Sequence, residues 1–214
     1  NLTSSVSKIF KSNSVDFDKC LIVVDKNVPK KFISNIKRSL KNKKIYVLFF
    51  NTSEKNKNIN SVNKIIEILL NKKFSRNDGL SSLGGGITGD VSGFAESLLK
   101  RGLKFINIPT TLLAQVDSSI GGKTGVNSSY GKNLIGTFYQ PDFVLSDVST
   151  LNSLPYREMV CGYGEIFKHS LISNKNFFNW LKKNGRNIIA NKNKEIIKKA
   201  IIQSCKIKSN IVQK

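Results

Sequence analysis

A chain of 214 residues, 39% of them hydrophobic, is long enough to bury a core and to hold one large domain or two small ones. It has no apolar run near bilayer length and no signal-peptide pattern, and Cys20, Cys161 and Cys205 make no C-x-x-C pair or disulfide framework, so a cytoplasmic protein with no membrane partner is expected. The formal charge of +21 comes from lysines spread among Asn and Ile without an aromatic-interleaved basic stripe, which argues against nucleic acid and for small anionic metabolites as partners.

Residues 1–18 are polar and give little signal, and the chain opens at Asn1 without a methionine, as expected if the natural start lies upstream. The run CLIVV at 20–24, ending at Asp25, predicts a buried strand. Pro29 then opens a helix with Phe32, Ile33, Ile36 and Leu40 on one face. Residues 45–50 predict a second strand, and Val62, Ile65, Ile66, Leu69 and Leu70 form the apolar face of a second helix. A weak strand at 80–83 leads to a glycine turn. A helix over 90–100 follows, with Val91, Phe94, Ala95 and Leu98 facing inward and Gly102 as its stop. Strands at 105–108 and 143–145 complete an alternation that predicts an α/β fold, a Rossmann-like parallel sheet with crossover helices. From Pro155 the pattern is helical throughout, over 156–172, 175–188 and 193–213. A domain boundary is therefore placed at residue 155, with a sheet domain over 1–155 and a helical domain starting at 156–214.

Gly84, Gly86 and Gly89 stand in G-x-G-x-x-G spacing after a strand and before a helix, a context in which backbone amides and a helix N-terminus receive phosphate. The dinucleotide fingerprint also wants an acid about twenty residues downstream, and that criterion fails because Pro109 occupies the place. Asp25 and Glu54, each following a strand, are substitutes at the carboxyl edge of a parallel sheet, against the plainer reading of turn acids. Lys123 and Lys132 sit in glycine-flanked loops, GGKTG and YGKN, and with Arg101 could neutralise an anion. Asp117 could bind a hydroxyl or a metal-bound group, or simply cap the next turn. Glu165, Lys168 and His169 share a helical face, and Glu165 with His169 has the spacing of two metal ligands or of an exposed pair.

The ordered segments GGGITGD at 84–90, RG at 101–102, PTTLLAQVDSSIGGKTG at 109–125, GKNLIG at 131–136, FYQP at 138–141, LPYRE at 154–158 and GEIFKH at 164–169 closely resemble the 3-dehydroquinate synthase family of sugar-phosphate cyclases. The similarity runs from 83 to 171, is looser over 20–80, and is little more than helical character after 175.

The resemblance implies a homodimeric enzyme of the shikimate pathway. It converts the sugar phosphate 3-deoxy-D-arabino-heptulosonate 7-phosphate to 3-dehydroquinate and phosphate, with catalytic NAD and a divalent metal, zinc or cobalt. A ring hydroxyl is oxidised by NAD, phosphate is eliminated, the ketone is reduced again, and ring opening with an internal aldol reaction closes the carbocycle. Carried over by position, Asp25 and Asn27 lie over the adenosine ribose, and Glu54 and Lys57 match a further cofactor element in which Ser53 replaces the usual glycine. Gly85, Gly86, Ile87, Thr88, Gly89 and Asp90 would cradle the pyrophosphate, with Thr110, Thr111 and Leu113 beside it. Lys123, Lys132, Thr150, Ser153, Leu154 and Glu158 match other cofactor-side positions. Glu165 matches the metal-binding glutamate; Asp117, Lys123, Asn133 and Lys168 face the substrate, and Arg101 reaches its phosphate across a dimer interface. His169 matches no ligand position. The family's other metal-binding histidines lie farther downstream, so the sequence is expected to be a fragment that does not turn over substrate alone. Other readings are a cyclase forming inosose-, valiolone- or aminodehydroquinate-type rings, a non-catalytic nucleotide-binding protein, or a metal-dependent polyol dehydrogenase.

Overall fold

The computed structural model describes residues 2–100, 102–173 and 175–213. In chain order the main elements are α1 (Val6–Ser12), β1 (Lys19–Asp25), α2 (Lys30–Ser39), β2 (Lys44–Phe50), α3 (Ile59–Asn71), β3 (Gly79–Gly84), α4 (Gly86–Leu98) and β4 (Lys104–Pro109). They continue as β5 (Lys123–Ser128), β6 (Gly131–Phe138), β7 (Phe143–Val144), α5 (Tyr156–Ser173), α6 (Lys175–Ile189) and α7 (Lys194–Val212).

Five strands form one parallel sheet in the order β2-β1-β3-β4-β7. Strands covered on both faces read as continuous apolar runs, and the pleat of β1 sends its side chains into two cores. Cys20, Ile22 and Val24 meet Phe32, Ile33 and Ile36 of α2. Leu21 and Val23 meet Val62, Ile65 and Leu69 of α3 and Val91, Phe94 and Ala95 of α4. Each such fully buried aliphatic or aromatic side chain contributes about 1.5–3 kcal/mol.

Several expectations change. The weak strand at 80–83 is β3, buried along its whole length at the centre of the sheet, and its Ser82 hydroxyl finds a partner in the Asn107 side-chain oxygen at 2.8 Å. Helix α4 begins at Gly86 rather than at 90, so the phosphate-type turn and the helix N-terminus are one feature. Leu98 and Leu70, expected to face inward, are exposed, and Leu99 is buried in the place of Leu98. The polar start contains α1, whose Val6 and Phe10 join the first core. The segment carrying Lys123 and Lys132 is not a pair of loops but an antiparallel hairpin, β5 with β6. Its Gly, Ser, Asn and Lys residues show no alternation; pairing is favoured by the contact of Val126 with the second core and by packing on α4.

The helical layer has its own core of Met159, Ile166, Leu181, Ile188, Ile197 and Ile201, which takes in Leu112, Val116 and Leu151 from the connections before it. α5 therefore docks directly on the segment that leaves β4. Helix α7 starts at Asn193, whose side-chain oxygen accepts from the Glu195 and Ile196 amides.

Glu96 of α4 is fully buried beside Tyr139, 3.1 Å from its hydroxyl, and that hydroxyl is 3.0 Å from the Leu103 carbonyl. Burial pushes the Glu96 carboxyl up to about 8. A protonated Glu96 donating to Tyr139, which donates on to Leu103, satisfies this chain of groups. Between the ordinary carboxyl value of 4.5 and about 8 the folded state holds a proton that the unfolded state has released, so this contribution to stability falls as pH rises. Glu96→Gln is expected to remove that slope. Urea unfolding of both proteins at about pH 5 and about pH 8.5 should show the variant gaining on wild type at the higher pH, whereas parallel behaviour contradicts the buried neutral carboxyl.

Candidate active site

In the order β2-β1-β3-β4-β7 the chain switches direction across the sheet between β1 and β3, and ligands of open α/β sheets bind outside the carboxyl ends of the strands at such a switch point. The glycine turn lies there. A Cβ on Gly84 would stand 2.9 Å from Asp25 Cβ and 2.7 Å from Thr88 Oγ1, and one on Gly86 would stand 3.1 Å from Ser118 Oγ. Gly85 caps α4 without a side chain, and no acid lies in the helix's first turn, so the N-terminal amides and the helix dipole together suit an anion. A Cβ at Gly84 or Gly86 would press on these neighbours, so glycine is what lets the turn pack this closely and keeps the α4 N-terminus free of side chains at Gly85 and Gly86.

Around it the structure gathers Asp25, whose carboxylate accepts the Asn27 amide at 2.9 Å, and Thr110, whose N–H donates to the Gly84 carbonyl at 2.9 Å. Thr88 is buried with its hydroxyl 3.0 Å from that of Thr52. Thr111 accepts from the Ala114 amide at 3.1 Å, and Leu113 is partly exposed beside it. Thr150, Ser153, Leu154 and Glu158 form a separate group at the entry to α5. The Thr150 hydroxyl donates to the Asp147 carbonyl, Ser153 donates to the Thr150 carbonyl, Leu154 packs on the helical core, and Glu158 is exposed.

The hairpin closes the other side. Lys57, only 6% exposed, places Nζ 2.5 Å from both Asp90 Oδ2 and Asn133 Oδ1. Burial pushes the Asp90 carboxyl up, with Lys57 opposing the shift. Lys132 is exposed, 3.8 Å from Glu54. Asp90, Asp117, Lys123, Asn133, Phe138 and Lys208 line a cleft of about 590 Å³.

Asp117 sits in a π-helical turn, Ala114–Ser118, onto which α5 and α7 pack. Its carboxylate, that of Glu165 and the imidazole of His169 each offer an atom within 4.8 Å of the others. His169 Nε2 is 3.1 Å from Glu165 Oε1, and Nδ1 is 2.6 Å from the Ser204 hydroxyl. Burial pushes the imidazole's pKa down, which favours the neutral ring; in the tautomer whose Nδ1 donates to Ser204, Nε2 keeps a lone pair toward Glu165 and Asp117. Two cations face the acids: Lys168 Nζ is 2.5 Å from Glu165 Oε1, and Lys208 grips the Asp117 carboxylate and its carbonyl. The Glu165 carboxylate raises the Lys168 ammonium above its ordinary value. Glu165 Oε1 is buried, and its contacts with Lys168 and His169 are ion-pair approaches without a well-aligned hydrogen bond. Two carboxylates and a neutral imidazole, each offering one atom, are a donor set that fits a divalent cation.

Sequence reasoning placed His169 outside the site, yet it is packed against Glu165. It missed Lys208, one lysine among many on α7, which only the crossing of that helix over the π turn singles out. Arg101 lies outside the described residues.

Residues 47–161 match the family model described as 3-dehydroquinate synthase N-terminal, and residues 162–214 match the one described as 3-dehydroquinate synthase C-terminal. The 3-dehydroquinate synthase of Pelagibacter ubique (strain HTCC1062) is 62% identical over 213 residues, covering 100% of this chain and 58% of that protein. Among solved structures, 2-deoxy-scyllo-inosose synthase complexed with carbaglucose-6-phosphate, NAD+ and Co2+ aligns with a TM-score of 0.85 at 26% identity, covering 99% of this chain and 57% of that one. The 2-epi-5-epi-valiolone synthase of Streptomyces hygroscopicus subsp. jinggangensis 5008, with NAD+ and Zn2+ bound, aligns with a TM-score of 0.86 at 25% identity, covering 92% and 56%. The chain thus spans 56–58% of the length of these relatives.

Proposed function

This chain belongs to the 3-dehydroquinate synthase family, and from that membership we propose that the protein converts 3-deoxy-D-arabino-heptulosonate 7-phosphate to 3-dehydroquinate and phosphate, using NAD and a divalent metal. The observation that carries this reading is a cleft lined by both Asp90, in the first turns of the helix that the glycine turn opens, and Asp117, a member of the cluster with Glu165 and His169. Residues 1–155 hold the dinucleotide in this reading, and 156–214 begin the metal and substrate side. A homodimer working in the cytoplasm belongs to the same proposal and rests on the family resemblance; among the described residues no helix is long and apolar enough to cross a membrane.

When bound, the dinucleotide supplies a reversible hydride acceptor and the metal supplies Lewis acidity. The chain's own residues do the rest. The amides at the start of α4 hold the diphosphate, and Asp25 accepts from ribose hydroxyls. Glu165 holds the metal with its unsatisfied oxygen. Asp117 accepts from a substrate hydroxyl, and Asn133, fixed by Lys57, offers an amide to another. Lys123 and Lys168 counter the substrate's negative charge at the mouth and at α5, Arg101 takes the phosphate, and Lys132 lies on the cofactor side.

The complete protein should release phosphate from the heptulosonate phosphate. Turnover should be lost on chelation or on stripping of NAD, and each should return when its component is restored. Turnover instead of a sugar phosphate lacking the carboxylate would identify a different cyclase, and no turnover of either with both components present would remove the reading.

A further inference from the structure

The loop after β2 and the hairpin β5–β6 meet through Asn127. Its backbone N–H donates to the Lys57 carbonyl at 2.8 Å. Its side-chain amide donates to the Glu54 carbonyl at 3.2 Å and to the Glu54 carboxylate at 2.9 Å. Its side-chain oxygen accepts the Asn133 N–H at 3.0 Å. Asn133 has φ +57°, a conformation that a residue with a side chain holds when its surroundings fix it. The Lys57 ammonium closes the ring, joining the Asn133 side chain to Asp90 of the glycine turn.

Asn127 thus uses its donor on the loop assigned to the dinucleotide and its acceptor on the strand assigned to the substrate. We propose that Asn127 is a positioning residue that couples the two seats, so that filling one orders the other and the two ligands bind with positive cooperativity. The inference rests on the ligand assignments made under the proposed function. Its physical basis is ordering: Glu54 is largely exposed, and a nucleotide that fixes Glu54 and Lys57 also fixes Asn127 and hence the strained Asn133 backbone. A ligand on Asn133 then binds a site already ordered, and linkage makes the effect reciprocal. A merely structural role would lower stability, or both affinities alike, and leave their coupling intact.

The test titrates NAD+ into the complete protein by calorimetry, with and without a saturating carbocyclic phosphonate analogue of the heptulosonate phosphate that cannot eliminate. Wild type should bind NAD+ about 10-fold more tightly with the analogue present. Asn127→Asp keeps the acceptor for Asn133 but sets a carboxylate against Glu54, and Asn127→Ala removes both bonds. In each, the enhancement should fall below about twofold. Combining Asn127→Asp with Glu54→Gln reverses the donor and acceptor of the broken bond and should recover most of the enhancement, an outcome that also answers any loss of folding in the alanine variant. An enhancement unchanged in Asn127→Asp, absent in wild type, or not recovered in the double variant overturns the inference while NAD+ binding leaves the proposed function standing. A wild type that binds no NAD+ removes both.

Discussion

Glu165→Gln in the complete protein is expected to lower metal-dependent turnover by at least about 10³-fold while leaving NAD binding within about threefold, since a lost metal removes several kcal/mol of charge stabilisation. The substitution keeps the side chain's shape and its place on α5. It removes the charge that pairs with Lys168, and it leaves an amide where a carboxylate oxygen stands buried without a well-aligned hydrogen bond. The glycine turn belongs to another element, the start of α4. Metal content measured beside turnover separates the possibilities. Low occupancy with low turnover agrees with Glu165 as a ligand, whereas normal turnover with zinc bound would show that the metal is held by other residues.

The second large effect is one of folding. Gly136 on β6 lies so close to β5 that a Cβ there would stand 2.0 Å from the Thr124 carbonyl oxygen and 2.8 Å from Gly125 Cα. Both are backbone atoms and have no rotamer to retreat into. Gly136→Ala must push the strands apart, at a cost of about 3 kcal/mol or more. Gly164 on α5 supplies the control: nothing lies within 4 Å of a Cβ there, and alanine in an exposed helix position gains about 0.5–1 kcal/mol. Thermal unfolding should place Gly136→Ala well below wild type and Gly164→Ala level with it or above. Because the hairpin carries Lys123 and Asn133, substrate affinity should fall in Gly136→Ala more than NAD affinity. Unfolding temperatures within a degree or so of wild type for Gly136→Ala would mean that the strands are not paired in this register.

What the sequence revealed follows from where each interaction is made. Strand β1 was legible because burial on both faces demands an unbroken apolar run, and β4 because only Asn107 interrupts one; β2, a partly exposed edge strand, was legible from its aromatic and β-branched residues. β3 was faint because Ser81 and Ser82 occupy its centre, and the Asn107 partner that makes Ser82 tolerable is on the next strand. The hairpin was invisible: its pairing depends on close backbone approach and on α4, and neither leaves a period in the sequence. At the site, the glycine turn was readable because one short segment contains all its parts. The approach of Asp117 to Glu165 is a product of helix docking, as are the bond from His169 to Ser204 and the placement of Lys208. In a chain with 35 Lys and Arg, no local pattern distinguishes a lysine such as Lys208 that turns toward Asp117.

A crystal structure of the complete protein with NAD+ bound would test the account most directly. The diphosphate should lie on the amides of Gly85, Gly86 and Ile87 at the start of α4, with Asp25 at the adenosine ribose and the nicotinamide directed toward Asp117 and Glu165. A dinucleotide bound elsewhere, or a turn that stays empty at saturating NAD+, would contradict it.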